Sequence, residues 1–180
     1  MKKVLLHICC AGCTTTCIER LQNEGFEVIG FFYNPNIHPE SEYSQRRKDL
    51  DIIKKEYGID IIEAEYDVDN WFKQVKGYES EPEGGTRCNI CFKMRLERTY
   101  TQMIRDGLDF FTTTLTISPH KNSKAINSYG QDISKEHFLV RDFKKQDGFV
   151  DSAKRSKSLN LYRQSYCGCV YSQNKNTNKV

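Results

Sequence analysis

The sequence has no long hydrophobic run: nothing in its 180 residues approaches the roughly 18 consecutive apolar positions of a membrane-spanning helix. Its start, MKKVLLHICC, joins two lysines to a short apolar run and then turns polar and cysteine-rich. A signal peptide needs a longer apolar stretch and a small-residue cleavage site, so the expectation is a cytoplasmic protein with no membrane partner. Two phosphate-binding signatures are also missing, the G-x-x-x-x-G-K-[ST] loop and the G-x-G-x-x-G fingerprint, which argues against ATP binding. No repeat with a period of about 20–50 residues is visible, and no linker divides the chain. One α/β domain is expected over residues 1–173, including a cysteine-bearing C-terminal segment, with residues 174–180 a frayed polar tail.

What is there is uneven. Residues 1–90 carry 11 Lys/Arg against 16 Asp/Glu, a net −5, whereas residues 91–180 carry 16 against 8, a net +8. A basic half suggests a polyanionic partner, although such a run can equally be a solvated face. The eight cysteines say more: Cys9, Cys10, Cys13, Cys17, Cys88, Cys91, Cys167 and Cys169. Disulfide scaffolds belong mainly to small secreted chains, so in a reducing compartment this density points to metal binding or redox chemistry.

Strands are expected at residues 3–8, 26–32, 59–64, 108–115 and 138–141, each a short apolar or β-branched run. Helices are expected at 13–24, at 40–57 as one element, at 89–106 and from 121 to 130, several closed by a glycine. Residues 66–87 read as a long loop or short irregular helices. This alternation predicts a Rossmann-like parallel sheet with helices on both faces. Ligands of such sheets gather at the carboxyl ends of the strands. Cys9 and Cys10, Asn34, Tyr66 and Asp67, and Ser118 to Lys121 all fall there.

Cys9-Cys10-x-x-Cys13, Cys88-x-x-Cys91 and Cys167-x-Cys169 are three groups far apart in sequence. A C-x-x-C pair can turn both sulfurs to one metal centre, and four thiolates suit either zinc or a [4Fe–4S] cluster. An adjacent pair such as Cys9-Cys10 is awkward around a single ion, which favours the cluster. Cys13, at the start of the first helix, could hold a second metal, donate a proton or attack covalently. Cys17, one turn on, reads as a core thiol. Cys167 and Cys169 would close a small strained ring, labile enough for electron relay, or serve as two further metal ligands.

Other candidates are less specific. His38 and His120 suit acid–base work in loops at the sheet edge, while His7, inside a strand, reads as a core histidine. Lys121 and Arg95 could bind phosphate or substrate carbonyls. Tyr66, Trp71, Tyr162 and Tyr166 could stack on a base. Lys144, Lys145, Lys154, Arg155, Lys157 and Arg163 form a dispersed basic stretch able to follow a phosphate backbone.

Taken together the motifs resemble the QueH-type epoxyqueuosine reductases. The resemblance runs through Leu6-His7-Ile8-Cys9-Cys10-Ala11-Gly12-Cys13, Tyr33-Asn34-Pro35-Asn36-Ile37-His38-Pro39 and Glu42-Tyr43-x-x-Arg46. It continues in Arg87-Cys88-x-x-Cys91-x-x-x-Arg95-Leu96, Thr113-Thr114-Leu115-Thr116-Ile117-Ser118-Pro119-His120-Lys121 and Tyr162-Arg163-Gln164-x-Tyr166-Cys167-Gly168-Cys169. Gly12 departs from the pattern, which leads one to expect proline. The resemblance implies an adenine nucleotide alpha-hydrolase-like (HUP-type) fold and reduction of epoxyqueuosine to queuosine in the anticodon loop of tRNA. It implies a [4Fe–4S] cluster on Cys9, Cys10, Cys88 and Cys91 and a redox-active disulfide at Cys167 and Cys169. It also suggests a second, mononuclear metal such as iron, to which Cys13 is assigned, and an electron donor still to be identified. His120 is the remaining catalytic candidate, and Asn34, Arg95, Lys121, Tyr162 and Arg163 are the candidate substrate or tRNA contacts. Rival readings are an ATP-using, cluster-dependent tRNA sulfur-transfer enzyme, a zinc-stabilised RNA-binding module and a metal-free thiol oxidoreductase using Cys88 and Cys91.

Overall fold

A computed structural model of the chain describes residues 1–173; the expected frayed tail, 174–180, lies outside the described residues. Four strands, β1 (Lys3–His7), β2 (Glu27–Phe32), β3 (Ile61–Glu63) and β4 (Phe110–Thr113), form one parallel sheet in the order β3-β2-β1-β4. β1 is central, pairing Leu5 with Ile29 on one side and with Phe111 on the other. Its alternation divides the core. Val4 and Leu6 pack with Ile18, Leu21, Ile53 and Phe143, while Leu5 packs with Phe31, Phe92, Leu96 and Phe111.

The first face is covered by α1 (Ala11–Asn23), α3 (Leu50–Tyr57) and α7 (Gly148–Ser158), the second by α5 (Thr86–Arg105) and α6 (Ser123–Ile133). Helices on both faces of a parallel sheet are the expected architecture. α2 (Glu40–Lys48) and α4 (Val68–Val75) lie between β2 and β3 and between β3 and α5 in the chain, and α8 (Val170–Gln173) closes the described residues. No helix among the described residues is long and apolar enough to cross a membrane.

Three expectations change. The helix at 40–57 is two helices meeting at Asp49, whose carboxylate accepts the Tyr162 backbone N–H at 2.6 Å. The expected strand at 138–141 shrinks to one bridge, Phe138 beside Phe111, with the Leu139 carbonyl accepting from the Thr112 hydroxyl. The segment 66–87 contains a regular helix, α4, which buries Trp71 and Val75 one turn apart.

Candidate functional site

β1 ends at His7, and Cys9 and Cys10 follow directly, Cys10 standing at the N-cap of α1. The helix then carries Cys13 in its first turn. The three sulfurs lie within 4.8 Å of one another, and those of Cys9 and Cys10 are 3.9 Å apart. Thiolates about 2.3 Å from one tetrahedral ion stand about 3.8 Å apart, so this trio is spaced to share a metal.

The trio opens into a cavity of about 570 Å³ whose wall holds seven of the eight cysteines. Cys88 and Cys91 face it from the first turns of α5, and Cys167 and Cys169 from the tail turn. Cys17 is fully buried behind the trio, its thiol donating to the Cys13 carbonyl, a core position as expected. Cys91 and Cys169 pack together with Trp71 and Val75, so the tail turn leans on α5 and α4.

The chain points hydrogen-bond donors at these sulfurs. The Gln164 side-chain amide donates to Cys10 at 3.0 Å, the Thr114 hydroxyl to Cys9 at 3.3 Å, and the Gly84 backbone N–H to Cys88 at 3.2 Å. Arg46, Arg87, Arg95 and Lys121 share the wall, with Glu83 the one carboxylate among the described lining residues. Thiolate ligands crowd negative charge that such donors and cations offset. The donor set fits a thiolate-bound metal centre, and the cavity has room for one larger than a single ion.

Proton sharing among the thiols is lopsided. Cys9 is held well below the ordinary thiol range by hydrogen bonds from Cys10 and Cys13, with help from Lys121 and Thr114 against its burial. Cys10 is pushed up to about 12, because the favourable bond from Cys13 is outweighed by the bond it gives Cys9, by burial and by Cys9's charge. Cys13 is raised by its bonds to Cys10 and Cys9 and by burial. Of the three, Cys9 is thus the thiol lowered and Cys13, despite its place in the first turn of α1, a thiol raised.

In the tail turn, Cys167 is lowered to about 5, first by the hydrogen bond from Cys169 and then by Ser172, while Cys169 is raised by the same bond. Both stand as free thiols. With the pair reduced, Cys167 is mostly thiolate above about pH 6. Its alkylation rate is therefore expected to stay nearly flat from about pH 6.5 to 8.5, where an ordinary thiol of pKa about 8.5 would speed up steeply. A pH series with iodoacetamide and peptide mapping checks this, and a steep rise would refute it.

A buried frame holds that turn. Arg46 donates to the carbonyls of Tyr166 at 3.0 Å and Cys167 at 3.1 Å, and to the Glu42 carboxylate at 2.8 Å. Glu42 also accepts from the Tyr162 hydroxyl at 2.7 Å. The His38 N–H donates to the Gly168 carbonyl at 2.8 Å, and the Tyr166 hydroxyl to the His38 carbonyl. Gly168 sits at φ 106°, and a Cβ there would come within 2.9 Å of Ile37, so no side chain fits.

The remaining candidates divide by burial. Lys121, Arg163 and Tyr162 line the cavity, as does His120, whose side chain is exposed. Arg95 lines it too, but is buried and tied to the Cys91 carbonyl and, at 3.4 Å, to Asn34. Asn34 is fully buried and spends its amide N–H on the Ile8 carbonyl, so it braces the end of β1 from behind the cavity wall. His38 is packed against Trp71 and Phe72, both ring centroids at 4.9 Å, instead of standing at an open edge. His7 is a buried core histidine held to Thr113 and the Tyr33 carbonyl, and burial pulls it down to about 4. Tyr66 stacks on Tyr43 and Trp71 has no exposed surface, so neither is free to stack on a base. Gly12 gives its carbonyl to the Ser156 hydroxyl of α7, and a Cβ there would lie 2.8 Å from that oxygen. Arg46, Gln164 and Thr114 sit in the quoted motifs, yet only the folded site gives them work.

The family model described as "Epoxyqueuosine reductase QueH" matches residues 4–175 of the chain. The chain belongs to the epoxyqueuosine reductase QueH family. It is 40% identical over 177 residues to the epoxyqueuosine reductase QueH of Streptococcus pyogenes serotype M1, covering 93% of this chain and 69% of that one. To the QueH of Acinetobacter baylyi it is 40% identical over 174 residues, with 94% and 80% covered. To that of Thermotoga maritima it is 37% identical over 178 residues, with 96% and 91% covered. Among solved structures it resembles the U34-tRNA thiolase NcsA of Methanococcus maripaludis, described with its [4Fe-4S] cluster, at TM-score 0.60 and 15% identity. That match covers 95% of this chain and 61% of the thiolase, and at such identity it speaks to the Rossmann-like α/β fold alone. Membership of the QueH family makes the chain an oxidoreductase.

Proposed function

We propose that this chain reduces the epoxide of epoxyqueuosine in the anticodon loop of tRNA to the alkene of queuosine. The observation that carries the reading is the single cavity walled by seven cysteines in a chain of the QueH family. Cys9, Cys10, Cys88 and Cys91 would hold a [4Fe–4S] cluster, and Cys13, within reach of the same sulfurs, a mononuclear iron. When bound, such a centre supplies electrons one at a time and a Lewis acid for an oxygen leaving carbon.

Removing the epoxide oxygen as water consumes two electrons and two protons. Oxidising the Cys167 thiolate and Cys169 thiol to a disulfide releases two electrons and one proton, so the pair supplies both electrons of one turnover and one of its protons, and the second proton comes from His120, which is reprotonated from solvent. Cys167, as the thiolate, and Cys169, as the thiol, start from the protonation states described above. Lys121, whose cation acts on both Cys9 and Cys167, would hold the developing alkoxide, and His120, on the same cavity wall, would donate a proton. Arg95 and Tyr162 shape the wall around the base, and Arg163 meets the RNA at the mouth. Asn34 acts through β1, keeping the strand end and Arg95 in register. An external donor, whose identity is open, restores the dithiol.

Anaerobically reconstituted protein, incubated with tRNA carrying epoxyqueuosine and a dithiol reductant, should yield queuosine by nucleoside analysis. The yield should not depend on ATP. Unchanged epoxide with an intact metal centre would overturn the reading, and product formed only with ATP would favour sulfur transfer.

A further inference from the structure

α7 presents an unusual edge to the cavity mouth. Phe149, Ala153 and Lys157 follow one another at four-residue spacing, and Phe149 and Ala153 line the cavity. Phe149 keeps 40% of its surface exposed although it borders a pocket that could have covered it. Of the four aromatics expected to stack, Tyr66 and Trp71 are committed to the core, while Tyr162 and Tyr166 line the cavity with their hydroxyls tied to Glu42 and to the His38 carbonyl.

The seat of Phe149 is rigid. Gln146 and Asp147 both adopt left-handed backbone, at φ 52° and 58°, a conformation that costs non-glycine residues energy and persists where surroundings enforce it. The Arg20 guanidinium enforces it, donating to the carbonyls of Phe143, Lys145 and Gln146 at 2.9–3.2 Å. Next, Gly148 lies so close to the Phe143 carbonyl that a Cβ would overlap it. A strained and clamped turn thus aims an aromatic ring at the mouth of the site. Around it the lip is basic. Arg163 and Lys121 stand on the cavity wall, and Lys157 lies about 12 Å along the helix from Phe149.

We propose that Phe149 is a stacking platform for an unpaired nucleobase of the RNA substrate, next to the base being reduced, with Lys157 and Arg163 taking flanking phosphates. This rests on the RNA reading given above. Single-stranded RNA is bound by this combination, an aromatic face for a base and cations for the backbone.

The test is binding of a fluorescently labelled anticodon stem–loop RNA carrying epoxyqueuosine to the metal-loaded full chain, read by anisotropy. Phe149→Ala should weaken binding about 10-fold or more, and Phe149→Tyr should stay within about twofold of the parent. Phe149→Leu, apolar but without a π face, should behave like the alanine variant, and the loss should appear in KM rather than kcat. Alanine or leucine variants that bind like the parent overturn the platform and leave the reductase reading standing. A parent chain that does not bind the stem–loop overturns both.

Discussion

Cys9→Ser, Cys10→Ser, Cys88→Ser and Cys91→Ser are each expected to strip iron and visible charge-transfer absorbance from the anaerobically purified protein. Activity should fall at least about 100-fold, since losing even an outer-shell partner of a metal ligand costs 10–100-fold. Cys167→Ser and Cys169→Ser should keep the absorbance and a single turnover with a strong one-electron reductant, but lose repeated turnover with dithiols. Cys13→Ser should keep the cluster absorbance and lower iron content by about one atom per chain.

The contrast is sharp because the seven thiols share one wall. Position alone does not separate Cys91 from Cys169, which pack against each other beside Trp71. The tail pair is marked out instead by its internal bonding. Cys167 and Cys169 already form a thiolate–thiol couple stabilised within the turn by Ser172 and each other. Cys88 takes its backbone N–H from Gly84, ahead of α5, whereas Cys167 takes the N–H of Cys169 within its own turn. If the tail variants lose absorbance while Cys88→Ser and Cys91→Ser keep it, the ligand and relay roles must be exchanged.

Much of this site was legible in the sequence because parallel sheets put chemistry at the carboxyl ends of their strands. Val4 to Leu6 announce β1, and whatever follows β1 must stand at that edge, so the place of Cys9 and Cys10 follows from the chain order alone. The helix α7 was not legible. Its buried positions are Gly148, Ser152 and Ser156, a polar and small face that hydrophobic periodicity passes over. It is held by hydroxyls, with Ser152 bonding Thr15 at 3.2 Å and Ser156 bonding Gly12. The break at Asp49 was hidden for the opposite reason. Tyr43, Leu50, Ile53 and Tyr57 keep helical spacing across it, and the partner that Asp49 meets there, Tyr162, lies far along the chain. The same distance hid Arg46, which reads locally as a charge on a solvated helix yet is 3% exposed.

Arg46→Met is the second large effect expected. The side chains of Arg46 and Glu42 are 2% and 11% exposed, and removing one partner of a buried pair leaves an uncompensated charge that costs about 3–5 kcal/mol. Urea unfolding should show that loss. It should also free the carbonyls of Tyr166 and Cys167, releasing the Cys-Gly-Cys turn from its frame. Multiple-turnover activity should then fall by more than about tenfold, following the cost of misplacing reacting groups. Arg46→Lys retains the charge but not the planar fork that serves three acceptors at once, so it should recover much of the stability and little of the turnover. That split between folding and catalysis is what distinguishes a positioning residue from a merely structural one. An Arg46→Lys protein that turns over like the parent would show that the fork does not set the geometry of Cys167. Turnover that tracks stability across both variants would reduce Arg46 to a buried ion-pair partner.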